Sequence, residues 1–294
     1  MHNILVTGAD GQLGNELRNI ALNYKKFNFI FTDVKNLDIT NINDVELFFE
    51  SHPIDYIINC AAYTAVDKAE TNEDAANKIN VIGVKNLVAL SQKYSSKLVH
   101  ISTDYVFDGT NFKPYVESDA TNPVSVYGKT KLEAEKAIRS SAIEAIIIRT
   151  SWLYSSFGNN FVKTMIKLGT ERDELNVIFD QVGTPTYAYD LAKTILDIIN
   201  QSTENDSVFS QDIYHFSNHG VCSWYDFAKA IMELSKINCK INAIESKDYP
   251  TPATRPFYSV LNKSKIQNTF NILIPFWRDS LSQCIKKIMT VQNL

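Results

Sequence analysis

Tyr127 and Lys131 stand four residues apart in Val126-Tyr127-Gly128-Lys129-Thr130-Lys131. On a helix that spacing puts a phenol and an ammonium on one face. A cation beside a phenol favours the phenolate and lowers a pKa that is ordinarily about 10. The chemistry open to such a pair is general acid catalysis on a carbonyl. The same spacing recurs at Tyr189/Lys193 and at Tyr225/Lys229, so context must choose among the three.

A second chemical feature lies near the N-terminus, in Gly8-Ala9-Asp10-Gly11-Gln12-Leu13-Gly14. The three glycines follow a strand-like Asn3-Ile4-Leu5-Val6-Thr7 and open a helical pattern. In that setting backbone N–H groups and a helix N-terminus can meet a pyrophosphate. The spacing is Gly-x-x-Gly-x-x-Gly rather than Gly-x-Gly-x-x-Gly, and the plain alternative is a glycine-rich turn. Asp33, nineteen residues past Gly14, stands where a carboxylate can accept hydrogen bonds from an adenosine ribose; otherwise it is a turn residue or helix cap. Its charge opposes the 2′-phosphate of NADP while Lys35 offsets it, so NADPH and NADH both stay open. Asp38-Ile39 suits a contact on the adenine side.

These residues need a scaffold. Short apolar runs at Ile4–Thr7, Phe29–Thr32, Ile54–Asn59, Leu98–Ser102 and Ala145–Arg149 alternate with helical patterns near 12–23, 42–50, 72–94 and 124–139. Continuous apolar strands spaced by helices predict an α/β fold with a doubly wound parallel sheet. Beyond about residue 150 the alternation loosens. Helical stretches near 158–169, 188–200, 223–236 and 277–290 enclose strand candidates at Val177–Phe179, Tyr214–Phe216 and Lys240–Ala243. The expected division is a dinucleotide-binding core over 1–150, with returning elements from about 175–200, and a smaller mixed α/β part over 151–294 that shapes the substrate pocket. Lys247 to Pro256 holds three of the eight prolines and reads as loop.

Ligands of open α/β sheets sit beyond the carboxyl ends of the strands. The run Leu98-Val99-His100-Ile101 leads into Ser102-Thr103-Asp104-Tyr105 and brings hydroxyls to that mouth, and Tyr127/Lys131 begins the next helix. The other two pairs lie among apolar residues of the second half, where ordinary packing explains them. Context selects Tyr127/Lys131.

Taken together, the glycine loop, Asn59-Cys60-Ala61-Ala62-Tyr63-Thr64, Ser102-Thr103-Asp104 and Tyr127-x-x-x-Lys131 resemble the extended short-chain dehydrogenase/reductases. Within them, Ala65-Val66-Asp67-Lys68-Ala69-Glu70, Ser102 to Gly109, Tyr127 to Glu133, Arg149-Thr150-Ser151-Trp152-Leu153-Tyr154, Gly158-Asn159-Asn160-Phe161, Asp180 to Thr186 and Tyr249 to Pro256 are similar to the dTDP-4-dehydrorhamnose reductase family. The resemblance implies NAD(P)H-dependent reduction of the C4 ketone of a nucleotide-linked sugar, the last step of dTDP-rhamnose biosynthesis. It assigns Thr103, Tyr127 and Lys131 to catalysis. It gives Gly8, Gly11, Gln12, Leu13, Gly14, Asp33, Asp38, Ile39, Ala62, Tyr63 and Thr64 to the dinucleotide, along with Tyr127 and Lys131. Thr103, Asp104, Trp152 and Asn160 fall to the sugar nucleotide, with Arg255 for its diphosphate, since a guanidinium grips phosphate with two bonds. Trp152 as a core aromatic and Arg255 as a surface ion pair are the plain alternatives. Some members bridge subunits with magnesium through three glutamates. Glu16 matches the first, whereas Tyr189 and Arg278 occupy the others, and an arginine cannot ligate a cation. No metal is therefore expected, and a homodimer is left open. The rival readings are a nucleotide-sugar epimerase or dehydratase and a non-catalytic regulatory relative.

Bulk properties narrow the classes further. A net charge of −4 over 294 residues argues against a nucleic-acid partner. No apolar run approaches the roughly 20 residues of a membrane helix, and no secretory signal is read at the N-terminus. Cys60, Cys222, Cys239 and Cys284 form no framework, and the histidines, His2, His52 and His100 among them, lack metal-ligand spacing. A cytoplasmic enzyme with reduced thiols is the expectation.

Overall fold

The computed structural model describes residues 1–205 and 209–292. Strands β1 (His2–Thr7), β2 (Phe27–Phe31), β3 (Tyr56–Asn59), β4 (Lys97–Thr103) and β5 (Ala145–Thr150) alternate with helices α1 (Gln12–Ile20), α2 (Ile42–Ser51), α3 (Gly83–Tyr94) and α4 (Val126–Arg139). After residue 150 come α5 (Phe161–Glu171), β6 (Glu174–Ile178), α6 (Ala188–Ser202), β7 (Asp212–His215), α7 (Trp224–Ser235), β8 (Lys240–Ile244) and α8 (Trp277–Gln292).

Six strands pair in parallel in the order β7-β5-β4-β3-β1-β2. Their apolar runs are buried on both faces: Ile4, Leu5, Ile57, Ile58, Leu98 and Ile148 have no exposed surface. Each such side chain contributes about 1.5–3 kcal/mol by leaving water. On one face Leu13 and Leu17 of α1 meet Leu191, Ile195 and Ile199 of α6. On the other, Val45 of α2, Leu87 of α3 and Ala134 and Ile138 of α4 close the second core. The doubly wound α/β sheet expected from sequence is thus present. Strand order reverses between β1 and β3, so a crevice opens above their carboxyl ends.

Two features differ from the sequence reading. The sheet takes its sixth strand from Asp212–His215, so the returning chain extends past the expected 175–200. The helix expected over 72–94 runs from Glu73 to Tyr94, but with a π-helical turn at Lys78–Ile82 between Glu73–Asn77 and α3. Asn80 in that turn is fully buried. Its amide accepts from Tyr63 N and donates to Tyr63 O and Thr130 Oγ1, bonds that offset the lost helical register.

The remaining chain packs a third core around Tyr154, Tyr187, Phe227 and Trp277, roofed by the parallel pair β6/β8. Helix α7 starts at a reciprocal cap between Ser223 and Asp226. Among the described residues no helix is long and apolar enough to cross a membrane.

Candidate active site

A cleft of about 770 Å³ lies over the ends of β1, β3, β4 and β5. One end is built by the glycine loop. Gly8 has φ +63°, and a Cβ there would sit 2.6 Å from the Ala61 backbone, so only glycine lets the two loops close on each other. Helix α1 begins at Gly11 without a side-chain cap, which leaves its first N–H groups facing the cleft for an anion. Gly11, Gln12 and Leu13 line the wall. Gly14 does not: a Cβ on it would lie 2.4 Å from Ala9 Cα, so its place is in packing the helix on the loop.

Asp33, Asp38 and Ile39 also line this end. Asp33 accepts from Asp10 N at 3.0 Å and from Val34 N at 2.8 Å, so the turn role and the cleft wall coincide in one residue. Asp38 holds Thr40 through its backbone N–H and hydroxyl. Ala62 and Thr64 reach the wall, whereas Tyr63 between them does not, its backbone N–H being bonded to Asn80 Oδ1. The uncapped helix, the close-approach glycine and the carboxylate beyond β2 fit a dinucleotide.

At the other end stand Thr103, Tyr127 and Lys131, all in the cleft wall. Thr103 ends β4, its hydroxyl donating to Asp104 Oδ1 at 3.0 Å and accepting from Tyr105 N. Helix α4 is started by Ser125, which accepts from Gly128 N, and by Glu70, which accepts from Val126 N. Gly128 allows it to approach: a Cβ would be 2.2 Å from Tyr105 O. Tyr127 meets the ring of Tyr105 edge-on at 5.5 Å.

Electrostatics here depart from the simple expectation. Burial pushes the Tyr127 phenol up to about 12; the Thr103 hydrogen bond pulls the other way and Asp104 adds to the rise. Lys131 is therefore not what governs the phenol in the protein alone. Its Nζ donates to Ile101 O at 2.6 Å and lies 3.2 Å from His100 Nε2. Burial draws Lys131 down to about 8, opposed by Glu135 and Cys60. Asp104 is buried with Oδ2 unpartnered, and burial pushes its carboxyl up to about 7.

Trp152 and Asn160 reach the cleft. Trp152 adopts φ +47° and stacks on Trp224 at 3.7 Å between ring centres. Asn160 caps α5 and donates to Gln12 Oε1 at 2.9 Å, tying the phosphate loop to the second half. Arg255 lies outside the wall. Its guanidinium is held on Asp67 by bonds of 3.1 and 2.7 Å, the surface ion pair rather than an open phosphate clamp. The other Tyr/Lys pairs are elsewhere: Lys193 bonds Asp197, and Lys229 lies over the Tyr225 ring. Glu16 is buried, accepting from Ser155 Oγ with Lys287 Nζ 3.9 Å away, while Arg278 pairs with Glu233. Burial raises the Glu16 carboxyl and Asp190 adds to the rise, while Ser155 and Lys287 oppose it.

The model of the RmlD substrate binding domain matches residues 1–290. The chain belongs to that family. A family relative, a dTDP-4-dehydrorhamnose reductase of Aggregatibacter actinomycetemcomitans, is 41% identical, with 96% of this chain and 97% of that one covered. Among solved structures, a dTDP-4-dehydrorhamnose reductase of Clostridium acetobutylicum is 45% identical with a TM-score of 0.91, covering 98% and 99% of the two chains. Another, from Bacillus anthracis in complex with NADP, is 38% identical with a TM-score of 0.92 over 97% and 99%.

Sequence reasoning missed one layer of this family site. Beneath Lys131 lies a buried row of His100, Asn59 and Thr7, and beside it Ser102, Glu135 and Arg149. The signal was present: polar residues at positions 59, 100, 102 and 149 inside otherwise apolar strands. Such residues are buried only when partnered.

Proposed function

We propose that this chain reduces the C4 ketone of dTDP-4-dehydro-L-rhamnose to dTDP-L-rhamnose with NAD(P)H, in the last step of dTDP-rhamnose biosynthesis. The reading rests on one observation above the others: Thr103, Tyr127 and Lys131 share a cleft with the glycine loop. When bound, the reduced nicotinamide supplies the hydride.

The chain's own residues do the rest. The N–H groups of the Gly11–Leu13 turn hold the pyrophosphate, and Asp33 takes the adenosine ribose. Tyr127, kept protonated by burial, donates its phenolic proton to the oxygen that gains charge at C4. Thr103 holds that oxygen beside the phenol. Lys131 binds the nicotinamide ribose and offsets the phenolate left behind. Asp104 and Trp152 grip the sugar, and Arg255 turns from Asp67 to the diphosphate.

Incubation with dTDP-4-dehydrorhamnose and each reduced cofactor in turn tests the reading. One equivalent of nicotinamide oxidised per rhamnose formed is expected. Product formed without net oxidation would mark an epimerase or dehydratase instead, and no reaction with either cofactor would remove the assignment.

A further inference from the structure

A threonine hydroxyl carries one hydrogen and can accept two. Thr103 Oγ1 accepts from Tyr105 N at 3.2 Å, and its own hydrogen lies on the 3.0 Å line to Asp104 Oδ1. A ketone oxygen only accepts, so a threonine that holds the C4 oxygen must donate to it. An ionised Asp104 has no hydrogen to give and takes the one that Thr103 has. With a hydrogen on Oδ1 the same line runs the other way. Asp104 then donates to Thr103, which accepts from it and from Tyr105 N, and the threonine hydrogen is released to the substrate.

The surroundings of Asp104 favour the acid. The residue is 2% exposed, and Oδ2 has no hydrogen-bond partner. A buried carboxylate is stable only with a counter-charge and donors to its oxygens. Facing Asp104 are Thr103 at the end of β4, Tyr105 in its own turn, Tyr127 at the start of α4 and Ser259, which lies beside Gly183. None of the four is a cation. Arg255 and Asp67 act on Tyr105, and the charged neighbours of Lys131 are Glu135 and Cys60. Burial accordingly pushes the Asp104 carboxyl up, against the hydrogen bonds of Thr103, Ser259 and nearby backbone N–H groups.

We propose that Asp104 is a positioning residue held as the carboxylic acid, whose hydrogen turns the Thr103 hydroxyl toward the C4 oxygen. The acid keeps its hydrogen throughout, and the proton delivered to the sugar is the one Tyr127 carries. Oδ2 is left to accept from a sugar hydroxyl, so aiming Thr103 and gripping the substrate fall to different oxygens. The proposal rests on the reductase reading, which supplies the ketone. Ionisation of Asp104 disarms Thr103 while Tyr127 and Lys131 still hold their protons, the phenol standing at about 12 and the ammonium at about 8. Catalysis should therefore decline before the lysine loses its charge.

Two measurements test the proposal. The first is the pH dependence of kcat/KM for wild type and Asp104→Asn, whose amide can donate to Thr103 at every pH. Wild type should fall about tenfold per pH unit above an ionisation at about 7. In the variant, slower overall, that fall should move up by about one pH unit or more, into the range of Lys131. A fall that stays in place with merely lower activity marks a structural role and overturns the proposal. The second is a ¹³C titration of the full-length protein labelled at its aspartate carboxyls, Asp104 being assigned by its loss in Asp104→Asn. Protonation near neutrality is expected, and a carboxyl that titrates in the ordinary range, about 4, overturns the proposal as well. If Asp104→Asn does not fold, the signal is assigned by its shift in Thr103→Val and the titration decides alone. Absence of turnover in wild type would count against the reductase reading, and the titration would still read Asp104.

Discussion

Glu135 and Arg149 form a two-pronged ion pair, Nε to Oε1 at 2.9 Å and Nη2 to Oε2 at 2.6 Å. Both side chains are almost wholly buried, at 2% and 3% exposure. The pair joins α4, one turn beyond Lys131, to the end of β5, just before Ser151 and Trp152. Removing one partner strands the other charge in the interior. Glu135→Ala should therefore cost about 3–5 kcal/mol, read by denaturant unfolding. A loss below about 1 kcal/mol would mean that the pair does not anchor α4.

Tyr127→Phe removes one oxygen and little packing. Turnover should fall by about 10²–10⁴-fold, while the unfolding midpoint and cofactor affinity stay near those of wild type. A kcat within a few-fold of wild type would pass the proton-donor role to another group.

Asp104 links stability to pH. Its carboxyl stands at about 7 in the folded chain against 3.8 ordinarily. Between those values the folded protein keeps a proton that the unfolded chain has lost, so stability falls as pH rises from about 4 to 7. The size is of order a few kcal/mol. Asp104→Asn lacks this ionisation. It should gain on wild type in urea unfolding as pH is raised from about 5 to 8, while losing affinity for the sugar. A constant difference across that range would contradict the buried charge.

The two loop glycines separate strain from binding. Gly8→Ala meets both a positive φ and the Ala61 backbone, and should cost about 1–3 kcal/mol of stability. Gly11 has φ −73°, and its Cβ would meet only Gly8 O at 3.2 Å. Gly11→Ala should fold with near-normal stability and bind the dinucleotide less tightly. Equal stability losses in unfolding experiments would refute the distinction.

Arg255 is tested through KM. Charged hydrogen bonds contribute about 1.5–3 kcal/mol, so Arg255→Ala should raise KM for the nucleotide sugar at least tenfold with a small change in kcat. Asp67→Asn, which loosens the guanidinium, should lower KM. An unchanged KM in Arg255→Ala would leave the residue as an ion pair alone.

The placement of Tyr127 and Lys131 in the cleft wall was readable because its information is local: a helical spacing, a preceding strand and a glycine loop. The sheet was readable for the same reason, through apolar runs such as Ile146 to Ile148. What escaped depends on partners distant in sequence. Arg255 meets Asp67 across 188 positions, and nothing in its proline-rich segment announces that. The π-helical turn follows from Asn80 reaching Tyr63 and Thr130, seventeen and fifty positions away. Gly14 matched a binding pattern, but its spatial neighbour is Ala9 rather than the cleft. The phenol's upward shift escaped because spacing shows that Lys131 shares a face with Tyr127, not that burial governs the phenol.

The stacked rings of Trp152 and Trp224, 3.7 Å apart and 11° from parallel, have an optical consequence. The chain has three tryptophans, and two of them are close enough for their excited states to couple. Such a pair gives a near-ultraviolet circular dichroism band that responds to small rotations of either ring. Because Trp152 also lines the cleft, a sugar nucleotide settling against it would change that band before any bond is made. The protein thus carries a built-in chromophore for following occupancy in variants expected to turn over slowly, such as Tyr127→Phe.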